Sequence, residues 1–381
     1  MHVVVTGSSG RLGRSVVAGL LAHGHRVTGL DRAPAEPPAA CPASAALDAS
    51  RTAAAPDTTA PAAPTPDTTA PAAAAPDTTT AASAQPAPAL YAEHHLDLRD
   101  AEALDALFAE LRPDAVVHLA AIAVPFSAPE LEILSTNTTL AYTVCAAADG
   151  AGIARTLVAS SPTVLGYTLP TWHPRTLPLD ESSPVEPAHA YALSKAVLEE
   201  EVRMFARTSP HVFGSFRPCY VISPEEWAGA PTQQGHTVLE RLRDPALAAV
   251  SLFNYVDARD AADFVDVWLR AAPAAIDGEC FFVGASDALA VEPVASLWRE
   301  HAPALGEAAD ALGPGAPVFS VAKAERMLGW RPRRTWRTEL PNAQAALAAH
   351  PSTTEAPTPG TEAPTPSTEA PSPSTEERAA R

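Results

Sequence analysis

Lysine is nearly missing from this chain: Lys195 and Lys323 stand against twenty-four arginines in 381 residues. Basic clusters are also missing from the part of the sequence that has folding patterns, and the formal net charge is -18. Such a chain repels a phosphate backbone, so nucleic acid is excluded as a partner. Cysteine is scarce: Cys41, Cys145, Cys219 and Cys280 are scattered and form no CxxC pair. That excludes a disulfide scaffold and a zinc-finger spacing, and reduced thiols in a cytoplasm are expected. No apolar run approaches the length that crosses a bilayer, and the sequence enters a strand pattern at Val3, Val4 and Val5 with no basic segment ahead of it. Neither export nor a membrane partner is expected, and the location predicted is cytoplasmic.

What is present alternates. Residues 1 to 31 predict a strand, a glycine turn, an amphipathic helix from Arg11 to His23 and a second strand ending at Asp31. The pattern then dissolves into alanine, proline and threonine over 33–89, with an imperfect PDTTAPAA repeat starting at Pro56, Pro66 and Pro76. Such composition offers little area to bury, so a disordered insertion is expected there. Periodicity resumes near His94, followed by a helix to Leu111, a strand over 114–121, a helix over 131–148, a strand over 156–160, a helix over 191–207 and a strand over 211–217. Alternating strands and helices predict an α/β fold, a Rossmann-like doubly wound parallel sheet. The expected organisation is a dinucleotide-binding domain over 1–32 and 90–217, a smaller C-terminal substrate lobe with returning sheet elements over 218–348, and a disordered tail over 349–381.

Two constellations carry chemistry. Gly7, Gly10 and Gly13 punctuate the turn between the first strand and helix, with Arg11 and Leu12 between the last two. Glycines there let backbone amides approach a pyrophosphate at the helix N-terminus. Asp31 ends the next strand, where a carboxylate accepts both ribose hydroxyls and repels a 2'-phosphate. NAD is therefore expected over NADP, although the adjacent Arg32 softens the preference. The second constellation is Tyr191 and Lys195, four apart on a helix and so on one face. In a chain that otherwise uses arginine, a lysine at this spacing points to a need for a compact ammonium. Together with the positive nicotinamide it would stabilise the phenolate and lower the tyrosine pKa towards neutrality. His118, within an apolar strand, is expected to satisfy a backbone partner, and the adjacent His94 and His95 point to opposite faces and hold no metal.

With these motifs the chain resembles the extended short-chain dehydrogenase/reductases, the NAD-dependent epimerase/dehydratase family, over most of residues 1 to 338 apart from the insertion. The resemblance implies that Asp97 and Leu98 flank the adenine, that Leu119, Ala120 and Ala121 form a small-residue wall beside the cofactor, and that Asn137 matches the family's asparagine. It gives Ser161, by its spacing to Gly166, the task of orienting the substrate oxygen, with Ser160 beside it as the fallback and as a cofactor neighbour. The segment with Pro218 and Val221 passes the nicotinamide, with Tyr220 where asparagine is frequent, and Asp257 or Asp260 caps a late helix. The implied activity is NAD-dependent hydride transfer to or from a secondary alcohol or carbonyl of a sugar, sugar acid or nucleotide sugar, with Tyr191 as acid/base. An epimerase or dehydratase that recycles NAD is the alternative, and a non-catalytic dinucleotide-binding regulator is an alternative of another class. A homodimer through the helices starting near Leu131 and Tyr191 is also implied.

Overall fold

The computed structural model describes residues 1–32, 90–301, 305–343 and 347, so the expected insertion and tail lie outside the described residues. The first strand sets the layers. In β1 (His2–Thr6) every residue is buried, and alternate side chains leave by opposite faces. Val3 and Val5 join a core with Val16, Val17 and Leu20, whereas Val4 joins another with Leu104, Phe108 and Val144. A strand apolar on both faces belongs in the centre of a parallel sheet covered on both sides.

That is its place. Seven parallel strands run in the order β3-β2-β1-β4-β5-β6-β9. They are β1, β2 (Arg26–Asp31), β3 (Tyr91–His95), β4 (Ala115–His118), β5 (Arg155–Ala159), β6 (Val212–Pro218) and β9 (Cys280–Val283), while β7 (Val221–Ile222) and β8 (Val256–Asp257) form a separate pair. The helices that flank the sheet and the crevice are α1 (Arg11–Ala22), α2 (Ala101–Leu111), α3 (Glu130–Gly150), α4 (Ala190–Thr208), the short α5 (Pro224–Trp227), α6 (Val238–Arg243) and α7 (Ala246–Ala249), and α8 (Ala258–Arg270), and four more follow β9 among the described residues. α1 packs with α8 on one face, and α2, α3 and α4 pack together on the other. Among the described residues no helix is long and apolar enough to cross a membrane.

The strand order reverses at β1. The chain steps outward from β1 to β2 and β3, then returns to β4 on the other side. Where connections diverge in this way, a crevice opens at the carboxyl ends of the strands. Thr6 and His118 end their strands side by side at that point.

Candidate active site

The crevice is a cleft of about 750 Å³, and its wall begins at the glycine turn. Gly7 has φ +69°, and a Cβ there would lie 2.7 Å from the Ala120 nitrogen. A Cβ on Gly13 would lie 2.0 Å from the Gly7 carbonyl oxygen, so the turn closes only without side chains. Gly10 is the N-cap of α1 and provides no side-chain cap, so the first N–H groups of the helix have no side-chain acceptor there. Arg11, Leu12 and Gly13, the first turn of that helix, line the cleft. At the end of β2, Asp31 accepts from the backbone of Ser9 at 3.1 Å and of Arg32 at 2.7 Å, which leaves carboxylate lone pairs for a further donor.

Opposite this turn, Leu119, Ala120 and Ala121 follow β4, with the Leu119 and Ala120 amides donating to the Thr6 hydroxyl at 3.2 and 3.3 Å. His118 bonds that hydroxyl through Nδ1 at 2.8 Å, so its partner is a side chain rather than the expected backbone group. Burial, then the charge of Lys195, pushes its pKa down to about 3 and keeps it neutral. Asp97 and Leu98 line the same end, and hydrogen bonds from Arg99 hold the Asp97 carboxyl down at about 2. Asn137 stands apart from the other predicted residues: it does not line the cleft. It is buried, with its amide accepting from the Ile122 backbone at 2.8 Å and donating to the Ser194 hydroxyl at 3.1 Å. It ties the wall to α4, which is a supporting position.

α4 brings in the second constellation. His189 caps it, its Nδ1 accepting from Ala192 N at 3.3 Å, and Tyr191 and Lys195 turn towards the cleft while Leu198, Val202 and Phe205 pack behind. Lys195 Nζ donates to the Ala159 carbonyl at 2.8 Å and lies 5.9 Å from the Tyr191 ring centroid. Burial pushes the Lys195 pKa down to about 8, with Glu199 opposing. The tyrosine is buried as well. Burial pushes its phenol up to about 12, and a hydrogen bond with Ser161 pulls the other way. The ammonium keeps its charge, with one N–H on a carbonyl and two left for other acceptors.

The structure separates the two serines. The Ser161 hydroxyl faces Tyr191 and also accepts from Thr163 Oγ1 at 2.9 Å. The Ser160 hydroxyl turns inward and donates to Glu199 at 2.6 Å. Glu199, one turn beyond Lys195, takes two further bonds of 2.8 Å from Arg217 of β6. This buried ion pair, not foreseen from the sequence, locks α4 against β5 and β6; the signal was an acid four residues after the lysine. Pro218 and Val221 line the cleft past the end of β6, and Asp257 caps α8 by accepting from Arg259 N at 2.7 Å. Arg259 pairs with Asp257 and Glu339. The far half of the cleft contains residues that no motif signalled, among them Tyr167, His189, Gln234, Ser251 and Asn254.

Known proteins share this architecture. The model of the NAD dependent epimerase/dehydratase family matches residues 3–284. A UDP-glucose 4-epimerase of Bacillus subtilis is 31% identical over 117 residues, 29% of this chain and 31% of that protein. One from Azospirillum brasilense is 33% identical over 109 residues, 28% of this chain and 30% of that protein. The chain thus matches less than a third of the length of these two curated relatives. Among solved structures, Thermotoga maritima UDP-glucose 4-epimerase with UDP-glucose superposes with a TM-score of 0.58 at 16% identity, covering 91% of this chain and 100% of that one. A short-chain dehydrogenase/reductase superfamily protein from Agrobacterium tumefaciens with bound NAD gives 0.57 at 20% identity, covering 92% and 98%. At such identities what is shared is the fold. The family match spans both the glycine turn and the tyrosine helix, and the chain belongs to the NAD dependent epimerase/dehydratase family of the extended short-chain dehydrogenase/reductases.

Proposed function

We propose that this chain binds NAD in the cleft and catalyses hydride transfer to or from a secondary alcohol or carbonyl of a sugar, sugar acid or nucleotide sugar. The observation that supports it most is the convergence of Ser161, Tyr191 and Lys195 on one cleft whose other end is the glycine turn. The residues fit the cofactor: a helix start without a side-chain cap meets a pyrophosphate, and Asp31 retains lone pairs for ribose hydroxyls. Asp31 disfavours a 2'-phosphate, and Asp97, Leu98 and the Leu119–Ala121 wall enclose the adenosine half.

Bound NAD supplies the hydride acceptor. Ser161 orients the substrate oxygen by a hydrogen bond. Tyr191 takes the hydroxyl proton as the carbon gives up its hydride, and returns it in the reverse direction. Lys195 would hold the nicotinamide ribose, and its charge would stabilise the phenolate when the proton leaves. Dehydrogenation thus yields a carbonyl, a reduced cofactor and one proton. The second reading is an epimerase or dehydratase that returns the hydride within each turnover, and the UDP-glucose 4-epimerases among the relatives support it. A regulator without chemistry has no use for the Ser161, Tyr191 and Lys195 set. The α3 and α4 helices also make a dimer our expectation.

The test is to denature the purified protein and assay released NAD(H), and to follow reduced nicotinamide when NAD and a panel of sugars, uronic acids and nucleotide sugars are added. Accumulating reduced cofactor supports a dehydrogenase. Tightly held NAD without net reduction supports the second reading, and neither uptake of NAD nor turnover would sink both.

A further inference from the structure

Arg241 is wholly buried on α6, yet no carboxylate among the described residues pairs with it. Other buried or half-buried arginines do have acids: Arg217 has Glu199, and Arg259 has Asp257 and Glu339. The Arg241 guanidinium instead stacks on the Tyr220 ring at 4.2 Å from its centroid. One terminal nitrogen donates to the Gln234 side-chain oxygen, the other to the Ser251 hydroxyl at 3.4 Å, and Nε has no partner. A buried cation left without a counter-charge is costly, and a site that retains one has a reason to attract an anion. Burial pushes its pKa down, offset only by the Tyr220 phenol.

All three neighbours of the guanidinium, Tyr220, Gln234 and Ser251, line the far half of the cleft. Arginine only donates, so it must hold the oxygen of Gln234, and the amide N–H groups become the end offered to a ligand. Of the cleft's other cations, Arg32 after β2, Arg99 before α2 and Lys195 on α4 lie elsewhere, whereas Arg11 on the glycine-turn helix is near Tyr220 but is paired with Glu226 of α5. Among the described residues the far half therefore has one cation without an acid partner, Arg241, behind neutral donors, a match for one carboxylate rather than for the two charges of a diphosphate.

We propose that Arg241, acting through Gln234 and Ser251, is the residue that sets substrate specificity, and that the substrate is a sugar acid whose carboxylate lies against that wall. This rests on the hydride-transfer reading above and narrows it to one substrate class.

The experiment titrates the NAD-loaded full chain by calorimetry with D-galacturonate, D-galactose and UDP-galactose. Galacturonate is expected to bind at least ~10-fold more tightly than galactose, which corresponds to about one decade in Kd for a single charge-assisted contact. Arg241→Gln is expected to erase that preference, with galactose binding and NAD content unchanged, and Arg241→Lys to retain part of it. In turnover the loss should fall on KM for the acid and leave kcat alone. Should Arg241→Gln fail to fold, Gln234→Ala, at the cleft wall, is expected to weaken galacturonate selectively. Equal binding of acid and neutral sugar, tighter binding of UDP-galactose than of galacturonate, or a preference unchanged in Arg241→Gln or Gln234→Ala would overturn the proposal while NAD uptake keeps its parent reading. A chain that takes up no NAD would overturn both.

Discussion

The Tyr191 phenol sits at about 12 because burial outweighs its hydrogen bond with Ser161, so at neutral pH it is an acid awaiting a reason to ionise. As a base it must lose that proton, so alcohol oxidation is expected to accelerate as pH rises from about 7 and to level off above about 8, where Lys195 gives up the charge that stabilises the phenolate; carbonyl reduction is expected to show no such rise. Tyr191→Phe should lower turnover by ~10²–10⁴-fold with NAD uptake intact, as steady-state kinetics beside a cofactor-release assay would read. A loss of only a few-fold would remove Tyr191 from the proton path. His118 makes a different pH prediction. It is held near 3 in the fold against an ordinary value of 6.5, chiefly by burial. Above 6.5 it is neutral folded or unfolded and contributes no slope. As pH falls from 6.5 towards 3 the unfolded chain binds the proton and the fold does not, so stability is lost at roughly 1.4 kcal/mol per unit. Urea melts from pH 7 to 4 should be steeper in pH for the natural chain than for His118→Gln. Equal slopes would show that His118 does not govern acid sensitivity.

At the scale of elements, the turn from β1 into α1 is the tightest joint. Gly13→Ala would drive a methyl against the Gly7 carbonyl, 2.0 Å away in the present backbone. The turn must open, so the variant is expected to lose NAD uptake and to melt several degrees lower; uptake equal to the natural chain would show that the turn can give way. This joint was legible in the sequence because three consecutive valines, buried on both faces, run straight into the glycines. α4 was legible for a similar reason, since Tyr191 and Lys195 share its face. The far half of the cleft was not. Its walls come largely from turns between two-residue strands and helices of four to six residues, where no period registers, and Gln234, Ser251 and Asn254 have no spacing in common. Nor was the inward turn of Ser160 legible, because it depends on Glu199 and Arg217, which meet only when α4 packs on β6.

For the whole molecule, α3 and α4 leave Leu131, Tyr142 and Leu193 exposed at 76%, 51% and 41%, a surface suited to a second copy. Light scattering is expected to give twice the chain mass, and Leu131→Asp with Leu193→Asp to give the monomer; a natural chain that is already monomeric would end the dimer expectation. The segment 33–89 raises a larger question. β2 and β3 are parallel, with Val27 opposite Tyr91 and Asp31 opposite His95. The chain leaves β2 at Arg32 and must re-enter at Leu90, whose carbonyl accepts from Val27 N at 2.8 Å. About six residues of strand, roughly 20 Å, separate those points along the sheet, so one peptide bond cannot join them. Any shortening of 33–89 must therefore keep enough chain to reach from Arg32 to Leu90. A direct Arg32 to Leu90 fusion is expected to lose β3 and, with it, the wall at Asp97. Replacement by a Gly/Ser linker of ~20 residues should keep the fold and NAD uptake, because parallel neighbours need only about a dozen residues to connect. Closing the shorter loop should cost ~1 kcal/mol less entropy. A linker variant that folds and takes up NAD would assign the segment the role of connection alone, whereas one that loses either would show that residues between 33 and 89 pack on the domain.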